Sequence, residues 1–194
     1  MIGRQHLSTM DRAFVVVANH ASHLDASLIF GALPRRLARY LAAGAAADYF
    51  FDVWWRRGLT ALFFNAFPVE RSSNKRAGVG AKALLQRGIP LLIFPEGTRS
   101  TANALGHFQL GAAALAASTG VPCLPVALIG TGIAHPPGTK WPRRGRPPVG
   151  VVIGSPMAAA EGEPPAAFMA WVRAEIVRLL DEHSVAILNR TTAL

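Results

Sequence analysis

Residues 14–25 read FVVVANHASHLD, from Phe14 to Asp25, and this stretch decides the fold. Its first part is a run of β-branched residues that predicts a strand over 14–18. A helix is predicted over 24–33, where Pro34 ends it. The residues between them form a turn at the carboxyl end of a strand. Ligands of open α/β sheets bind beyond the carboxyl ends of the strands, so the position of this turn favours a functional role.

Further apolar strands and helices alternate along the chain. Strands are predicted over 39–43, 91–94, 124–129 and 149–153, and helices over a segment that ends near Gln86, over 105–119 and over 166–183. The strand at 91–94 is apolar throughout, which is typical of a parallel sheet covered on both faces. The 194 residues, of which 51% are hydrophobic, can bury one sizeable core. We therefore expect a single domain over 1–194, an α/β fold with a mostly parallel sheet flanked by helices.

The chain is both basic and apolar. Lys and Arg total 20 against 11 Asp and Glu, which gives a net charge of +9, and the mean hydropathy is +0.28. A basic surface attracts anions, and the apolar character favours an anionic membrane surface over nucleic acid as the partner. No apolar run reaches the roughly 18 residues that span a bilayer, so we expect the contact to be peripheral.

One aromatic segment is a candidate for that contact. Residues 48–67, from Asp48 to Phe67, carry half of the aromatic residues of the chain around Arg56 and Arg57. An interfacial helix would place its Trp and Phe side chains at the level of the lipid headgroups and its arginines on the phosphates. An ordinary packed helix explains the same composition. Residues 131–148 form a basic loop rich in Gly and Pro, and other basic residues add to the charged surface.

The single cysteine, Cys123, has no partner for an internal disulfide. It lies between prolines in an apolar segment, so we expect a buried, unreactive thiol in a reducing compartment. The polar residues 1–10 lead directly into the first strand and do not have the pattern of a signal peptide. These features predict a location on the cytoplasmic side.

The first turn places a histidine five residues before a carboxylate. Asp25 can accept a hydrogen bond from one ring nitrogen of His20 and leave the other nitrogen to act as a general base. No serine or cysteine nucleophile is needed if the substrate supplies the attacking hydroxyl. Two other interpretations stay open: Ser22 and Asp25 fit a capping box at the start of a helix, and His20, His23 and Asp25 fit a metal site. The capping box does not explain Asn19 and His20.

A second turn, Pro95-Glu96-Gly97-Thr98-Arg99-Ser100, follows the strand at 91–94. Gly97 lets backbone N–H groups face the crevice, and Arg99 adds a cation, so the turn can hold a phosphate. An ordinary turn explains the same residues. Arg71 and His20 are expected on the same edge of the sheet, which favours the phosphate site.

Three motifs follow one another along the chain. They are Asn19-His20-x-Ser22-x-x-Asp25, Phe94-Pro95-Glu96-Gly97-Thr98-Arg99-Ser100 and Val121-Pro122-x-x-Pro125-Val126. Together they resemble three of the four motifs of the glycerolipid acyltransferases, the lysophosphatidate acyltransferase family, over about 14–129. The resemblance implies transfer of a fatty acyl group from acyl-CoA or acyl-ACP to the free hydroxyl of a lysophospholipid such as 1-acylglycerol-3-phosphate. It also implies a role in phospholipid biosynthesis at the cytoplasmic face of the cell membrane.

The resemblance further implies roles for individual residues. His20 would be the general base and Asp25 its partner. The phosphate of the acceptor would be bound by five residues, which are Arg71, Glu96, Gly97, Thr98 and Arg99. We expect no metal and no bound cofactor, because the acyl thioester is a co-substrate.

Two departures from the family pattern concern the acceptor. The second family motif is Gly-x-x-Phe-x-x-Arg, and only Arg71 matches it securely here. The family commonly has Phe-Lys-x-Gly where this chain has Phe108-Gln109-Leu110-Gly111. Acylation of a different hydroxyl or amine by the same base is therefore the alternative activity. A metal-dependent phosphoesterase and a basic binding module without catalysis are the alternatives from other classes.

Overall fold

One sheet forms the centre of the fold. The computed structural model describes residues 1–8, 10, 13–46, 67–69, 75–100 and 105–189. Within these residues the strands are β1 (Val15–Ala18), β2 (Ala42–Ala46), β3 (Phe67–Val69), β4 (Leu91–Ile93), β5 (Cys123–Ile129) and β6 (Gly150–Ile153). The helices are α1 (Asp25–Ala32), α2 (Arg35–Ala38), α3 (Lys75–Gln86), α4 (Gly111–Thr119), α5 (Thr131–Ala134) and α6 (Pro165–Leu188), and a 3-10 helix covers Arg4–Leu7.

The strand order is β3-β2-β4-β1-β5-β6. The first five strands in this order run parallel, and β6 pairs antiparallel with β5. β1 lies inside the sheet, where Val16 stands opposite Leu92 of β4 and Leu124 of β5. The prediction of an α/β fold with a mostly parallel sheet flanked by helices is confirmed.

Alternate residues of β1 face two separate apolar layers. Val15 and Val17 belong to a layer with residues of α3, α4 and α6, whereas Val16 and Ala18 belong to a layer with residues of α1 and α2. Because successive side chains of a strand point to opposite faces, a run of apolar residues is needed where both faces are covered. The whole of β1 is accordingly buried.

The connections that leave β1 and β4 run in opposite directions. β1 leads through α1 toward β2, and β4 leads through α4 to β5 on the far side of β1. Apolar residues of α1 and of α4 belong to different layers, so the two helices cover opposite faces. Adjacent strands with divergent connections leave a crevice between their carboxyl ends. The two turns singled out in the sequence, 19–25 and 94–100, begin at this crevice.

The predicted start of the helix at 105–119 is wrong, because α4 begins at Gly111. The backbone N–H of Gly106 donates to the Glu96 carboxylate, and that of Gln109 donates to the Pro95 carbonyl. These groups are therefore engaged by the preceding turn and do not start a helix. Phe108 is buried in the core from this extended segment.

Three other predicted boundaries also differ from the structure. The strand predicted at 39–43 is β2, because a helical turn holds residues 37–41 through hydrogen bonds such as that from Leu41 N to the Ala38 carbonyl. The predicted helix at 166–183 extends to Leu188, and the predicted loop at 131–148 begins with α5. The other predicted strands agree with the structure to within one residue at each end.

Several predictions fall on other parts of the chain. Most of the aromatic segment 48–67, together with Arg71, lies outside the described residues. None of the helices in the described part is both long and apolar enough to cross a membrane. Cys123 is fully buried in β5, as predicted, and its burial raises the pKa of the thiol to about 12.

Candidate active site

His20 and Asp25 form a hydrogen-bonded pair at the carboxyl end of β1. His20 Nδ1 lies 2.8 Å from Asp25 Oδ2. The Asp25 side chain is fully buried, whereas 23% of the His20 side chain is exposed. His20 Nδ1–H donates this hydrogen bond to the Asp25 carboxylate. The free lone pair of a neutral His20 ring is therefore on Nε2, the nitrogen that can accept a proton.

The Asp25 carboxylate also holds the turn itself. Oδ2 accepts hydrogen bonds from the backbone N–H groups of Ala21 at 2.7 Å and Ser22 at 2.8 Å. The capping box predicted for Ser22 and Asp25 is only half formed, because the Ser22 hydroxyl accepts from Leu24 N instead of Asp25 N. That hydroxyl donates to the carbonyl of His135 at 3.0 Å. Asp25 Oδ2 alone thus fixes both the backbone of the turn and the ring of His20.

Asn19 continues the pairing of β1 with β5 through its side chain. Its amide donates to the Leu128 carbonyl at 2.9 Å, and its amide oxygen accepts from Leu128 N at 2.7 Å. The side chain therefore replaces a peptide group at the end of the strand, where the backbone turns toward His20. The sequence did not reveal this role of Asn19, which is to fix the end of β1 against β5.

The second turn encloses His20 from the side of β4. The backbone N–H of His20 donates to Glu96 Oε1 at 2.8 Å, and its carbonyl accepts from Ser100 N at 2.8 Å. The Phe94 ring stacks on the His20 ring with centroids 4.2 Å apart and planes 21° from parallel. The other Glu96 oxygen accepts from Gly106 N at 2.8 Å. The glutamate therefore joins the two turns to the segment that precedes α4.

A cleft of about 440 Å³ opens beside this second turn. Gly97 gives the turn its shape with a φ of +69°, a value that favours glycine. A Cβ atom at this position would lie 2.7 Å from the side-chain amide nitrogen, Nε2, of Gln109. The cleft is lined by Glu96, Thr98, Arg99 and Ser100 of the turn and by Gly106, His107 and Gln109 of the following segment.

His23 faces the cation of this cleft. Its Nε2 is in hydrogen-bond contact with Nη1 of Arg99, and its ring lies 5.6 Å from that of His135. Burial and the neighbouring Arg99 charge lower the pKa of His23, which favours the neutral ring that can accept from a guanidinium. Within the described residues, no group of three His, Cys, Asp or Glu side chains is arranged to bind a metal ion.

The short helix α5 supports the first turn from the end of β5. Gly132 lies against Ala21, where an added Cβ would come within 3.3 Å of the Ala21 Cβ. Ser22 is bound to the His135 carbonyl at the end of the same helix. Sequence patterns did not identify His107, Gln109 and His135 as neighbours of the site, and only the departure at Gln109 from the family pattern pointed toward this segment.

The arrangement is a partly exposed histidine ring oriented by a buried carboxylate, next to a cleft that carries an arginine. It lies at the crevice of a doubly wound α/β sheet, where such folds bind ligands. The structure brings together His20, Asp25, Glu96, Gly97, Thr98 and Arg99 from the predicted set, whereas Arg71 lies outside the described residues.

The Acyltransferase family model matches residues 2–129, so the chain belongs to this family. A 1-acyl-sn-glycerol-3-phosphate acyltransferase of Chlamydomonas reinhardtii is 34% identical over 142 residues, which are 72% of this chain and 41% of that protein. A protein of the same name from Pseudomonas aeruginosa is 45% identical over 87 residues, which are 43% of this chain and 31% of that protein.

The crystal structure of the 1-acyl-sn-glycerophosphate (LPA) acyltransferase PlsC of Thermotoga maritima has a similar fold. It superposes with a TM-score of 0.68 and 28% sequence identity over 91% of this chain and 70% of that chain. The present chain spans about two-fifths or less of the length of the curated relatives described above.

Proposed function

We propose that the chain transfers a fatty acyl group from an acyl-CoA or acyl-ACP thioester to the free hydroxyl of a lysophospholipid, with 1-acylglycerol-3-phosphate as the reference acceptor. The His20 Nδ1 to Asp25 Oδ2 hydrogen bond of 2.8 Å carries this proposal. The names of the relatives support the substrate class. The thioester is a co-substrate, and the proposed reaction uses no bound cofactor.

The proposed step needs a base and no enzyme nucleophile. His20 Nε2 removes the proton of the acceptor hydroxyl as its oxygen attacks the thioester carbonyl carbon. The carbon–oxygen bond forms, and the tetrahedral intermediate then breaks its carbon–sulfur bond. The leaving thiolate takes the proton back from the imidazolium. Asp25 stabilises the imidazolium across the hydrogen bond, so its effect falls on the transition state, in which the proton moves to His20.

Arg99 is the proposed ligand of the acceptor phosphate, together with the backbone around Gly97 and the Thr98 side chain. A guanidinium at the cleft supplies the charge that a phosphate needs. Glu96 is better suited to positioning than to phosphate binding, because both of its oxygens accept backbone hydrogen bonds and a carboxylate repels a phosphate. We retain Arg71 as a further predicted phosphate ligand.

The proposed place of action is the cytoplasmic face of the cell membrane, where the chain would bind peripherally. The acceptor and the product are lipids, and the net charge of +9 favours an anionic surface. The aromatic segment 48–67 and exposed basic residues are the proposed contacts. Nucleic acid has no part in this function.

The test is transfer from a radiolabelled long-chain acyl thioester to a panel of lysolipids. His20→Ala should lower kcat by about 10²- to 10⁴-fold, the usual contribution of a general base. His6→Ala is the matched control, because His6 contacts Ser155 after the end of β6, toward the amino end of β5 and away from the crevice, and its removal should leave the rate unchanged. Parent activity toward none of the acceptors, or a fully active His20→Ala, would refute the mechanism.

The phosphate site has its own test. Arg99→Ala should raise the KM for a phosphate-bearing acceptor by about 10- to 100-fold, the effect of losing one charge-assisted hydrogen bond, and Arg99→Lys should restore part of it. Arg87→Ala is the matched control, since Arg87 precedes β4 and lies at the opposite edge of the sheet. An Arg99 effect confined to the KM of the thioester would assign the residue to the donor instead.

Acylation of a different hydroxyl or amine is the alternative within the same mechanism. Its motivation is that only Arg71 matches the second family motif, which is tied to acceptor recognition. The lysolipid panel therefore includes amine and non-phosphorylated alcohol acceptors. A preference for these, with the same loss in His20→Ala, would keep the base and change the acceptor.

A further inference from the structure

The loop between α5 and β6 exposes an aromatic ring among cations. Trp141 is 76% exposed, and every residue of 138–146 is exposed. Lys140, Arg143, Arg144 and Arg146 surround the tryptophan in sequence. An exposed indole that shares one loop with four cations, and with exposed Ile133 and Val149 at the ends of that loop, has the composition of a surface that binds a partner.

This loop lies at the same edge of the sheet as the His20 site. It begins where Ser22 binds the His135 carbonyl, and it ends at Gly150, which pairs with Ile129 at the end of β5. A partner bound to the loop would therefore lie beside the entrance to the crevice. Two further apolar side chains, Ile133 and Val149, are exposed at its two ends.

The loop is held in shape at its base. Arg143 N donates to the Ala134 carbonyl at 2.7 Å, which closes residues 134–143 into a ring. His135 Nε2 lies 3.1 Å from the Thr139 carbonyl, and the Thr139 hydroxyl donates to the Pro136 carbonyl at 2.7 Å. A preorganised loop loses little conformational entropy when it binds a surface.

The charged side chains within the loop are all of one sign. The sequence contains no acidic residue between Glu96 and Glu161, so no carboxylate within this stretch offsets the four cations. Cations that flank an aromatic ring suit the boundary of an anionic bilayer, where the ring enters the headgroup layer and the cations meet phosphates. An acidic protein would use the cations and leave the indole without an apolar partner. A nucleotide would stack its base on the indole but leave Ile133 and Val149 in water, whereas a bilayer surface covers all three apolar side chains.

We propose that the loop 136–149 docks on an anionic lipid bilayer, with Trp141 inserted at the headgroup level and the basic residues on lipid phosphates. This inference builds on the proposed function, because docking at this edge would present the crevice to an acceptor that resides in the membrane. It adds a second contact to the aromatic segment 48–67 and specifies which way the site faces.

The test is sedimentation of the full 194-residue chain with vesicles of phosphatidylcholine containing phosphatidylglycerol. Replacement of Arg143, Arg144 and Arg146 by Gln should weaken binding by about fivefold for each charge removed. Trp141→Ala should weaken it by at least about fivefold through lost apolar contact. Binding of the parent should be much weaker to pure phosphatidylcholine and at 1 M salt, where screening acts over about 3 Å.

Trp171→Ala is the matched control for the tryptophan. Trp171 is 63% exposed on α6, and it lies 17 residues before Leu188, the end of that helix nearest Gly130 and the site edge. That separation corresponds to about 25 Å along a helix axis. The variant should bind vesicles like the parent. Thermal melts of all variants check that each folds, which surface substitutions should not prevent.

Three outcomes would overturn the docking proposal. Loop variants that bind vesicles as tightly as the parent would do so, as would an equal loss in Trp171→Ala. Loop variants that keep vesicle binding and raise the KM of a soluble short-chain acyl-CoA or of acyl-ACP would assign the loop to the donor. Vesicle binding is measured without substrates, so a parent chain that docks through the loop and transfers no acyl group would refute the proposed function alone.

Discussion

Replacement of Asp25 by Asn separates the electrostatic role of this residue from its structural role. Oδ2 accepts from two backbone N–H groups, those of Ala21 and Ser22, besides facing His20 Nδ1. In Asp25→Asn the amide oxygen must take the Oδ2 position, because an NH₂ group there would face two donors. The Asn oxygen would therefore still accept from Nδ1–H, and the catalytic tautomer of His20 would be retained.

The expected loss in kcat is then that of the charge. The new NH₂ group lies at the Oδ1 position, where no described group pairs with it, so the substitution also lowers the stability of the fold. A hydrogen bond to a charged group contributes about 1.5–3 kcal/mol, so Asp25→Asn should lower kcat by about 10- to 150-fold. Asp25→Ala should cost as much as His20→Ala, about 10²- to 10⁴-fold, because the ring loses its orientation as well. The two variants should also differ in stability. The alanine leaves the buried N–H of Ser22 and the partly buried N–H of Ala21 without their acceptor, at about 1–3 kcal/mol for a buried group, whereas the asparagine retains that acceptor.

The assay is acyl transfer at saturating substrates, combined with urea unfolding of the parent and both variants. The expected order of kcat is parent, then Asp25→Asn, then Asp25→Ala, and the free energy of unfolding should follow the same order. Two results would refute this reasoning. One is an Asp25→Asn variant as inactive as His20→Ala, which would mean that the tautomer is lost. The other is an Asp25→Ala variant as stable as Asp25→Asn, which would mean that the hydrogen bonds of Oδ2 do not stabilise the turn.

Three further predictions concern other residues of the fold and the site. Asn19→Ala removes the donor and the acceptor that face Leu128, so it should lower the free energy of unfolding by about 2–4 kcal/mol in urea titrations; an unchanged midpoint would contradict this. Cys123, with its pKa raised to about 12 by burial, should resist iodoacetamide at pH 8 in the native chain and react after unfolding, as followed by mass spectrometry; rapid native labelling would be inconsistent with the packing of β5. His23 has a pKa below its ordinary value of 6.5, because burial and Arg99 disfavour its charged form. The unfolded chain then binds more protons, so stability is lost as the pH falls from about 6.5, and His23→Gln should reduce that loss in melts from pH 7.5 to 5.

Local sequence patterns predicted most of the fold because the strands are short and apolar on both faces. β1 and β4 are recognisable in this way, since both are covered by helices on each side of the sheet. The pairing of His20 with Asp25 was predictable because the two residues lie only five positions apart in one turn. In each case the interaction that decides the structure lies within a few residues along the chain.

The parts that were not predictable depend on contacts between distant residues. The helix predicted from 105 begins six residues later, because Glu96 and Pro95 engage the backbone of this segment. Glu96 was assigned to phosphate binding from the family motif, and only the structure reveals the hydrogen bonds of its carboxylate to two backbone segments. Helix propensity is a weak preference that such tertiary hydrogen bonds override.

The hydrogen bonds that surround His20 also determine when the site can form during synthesis. His20 and Glu96 are 76 residues apart, Asn19 and Leu128 are 109 apart, and Ser22 and His135 are 113 apart. Contacts at such separations form late, because long stretches of chain must first be ordered. A nascent chain on the ribosome would therefore lack the complete support of His20 until His135 has emerged, after both β5 and α5 have been synthesised.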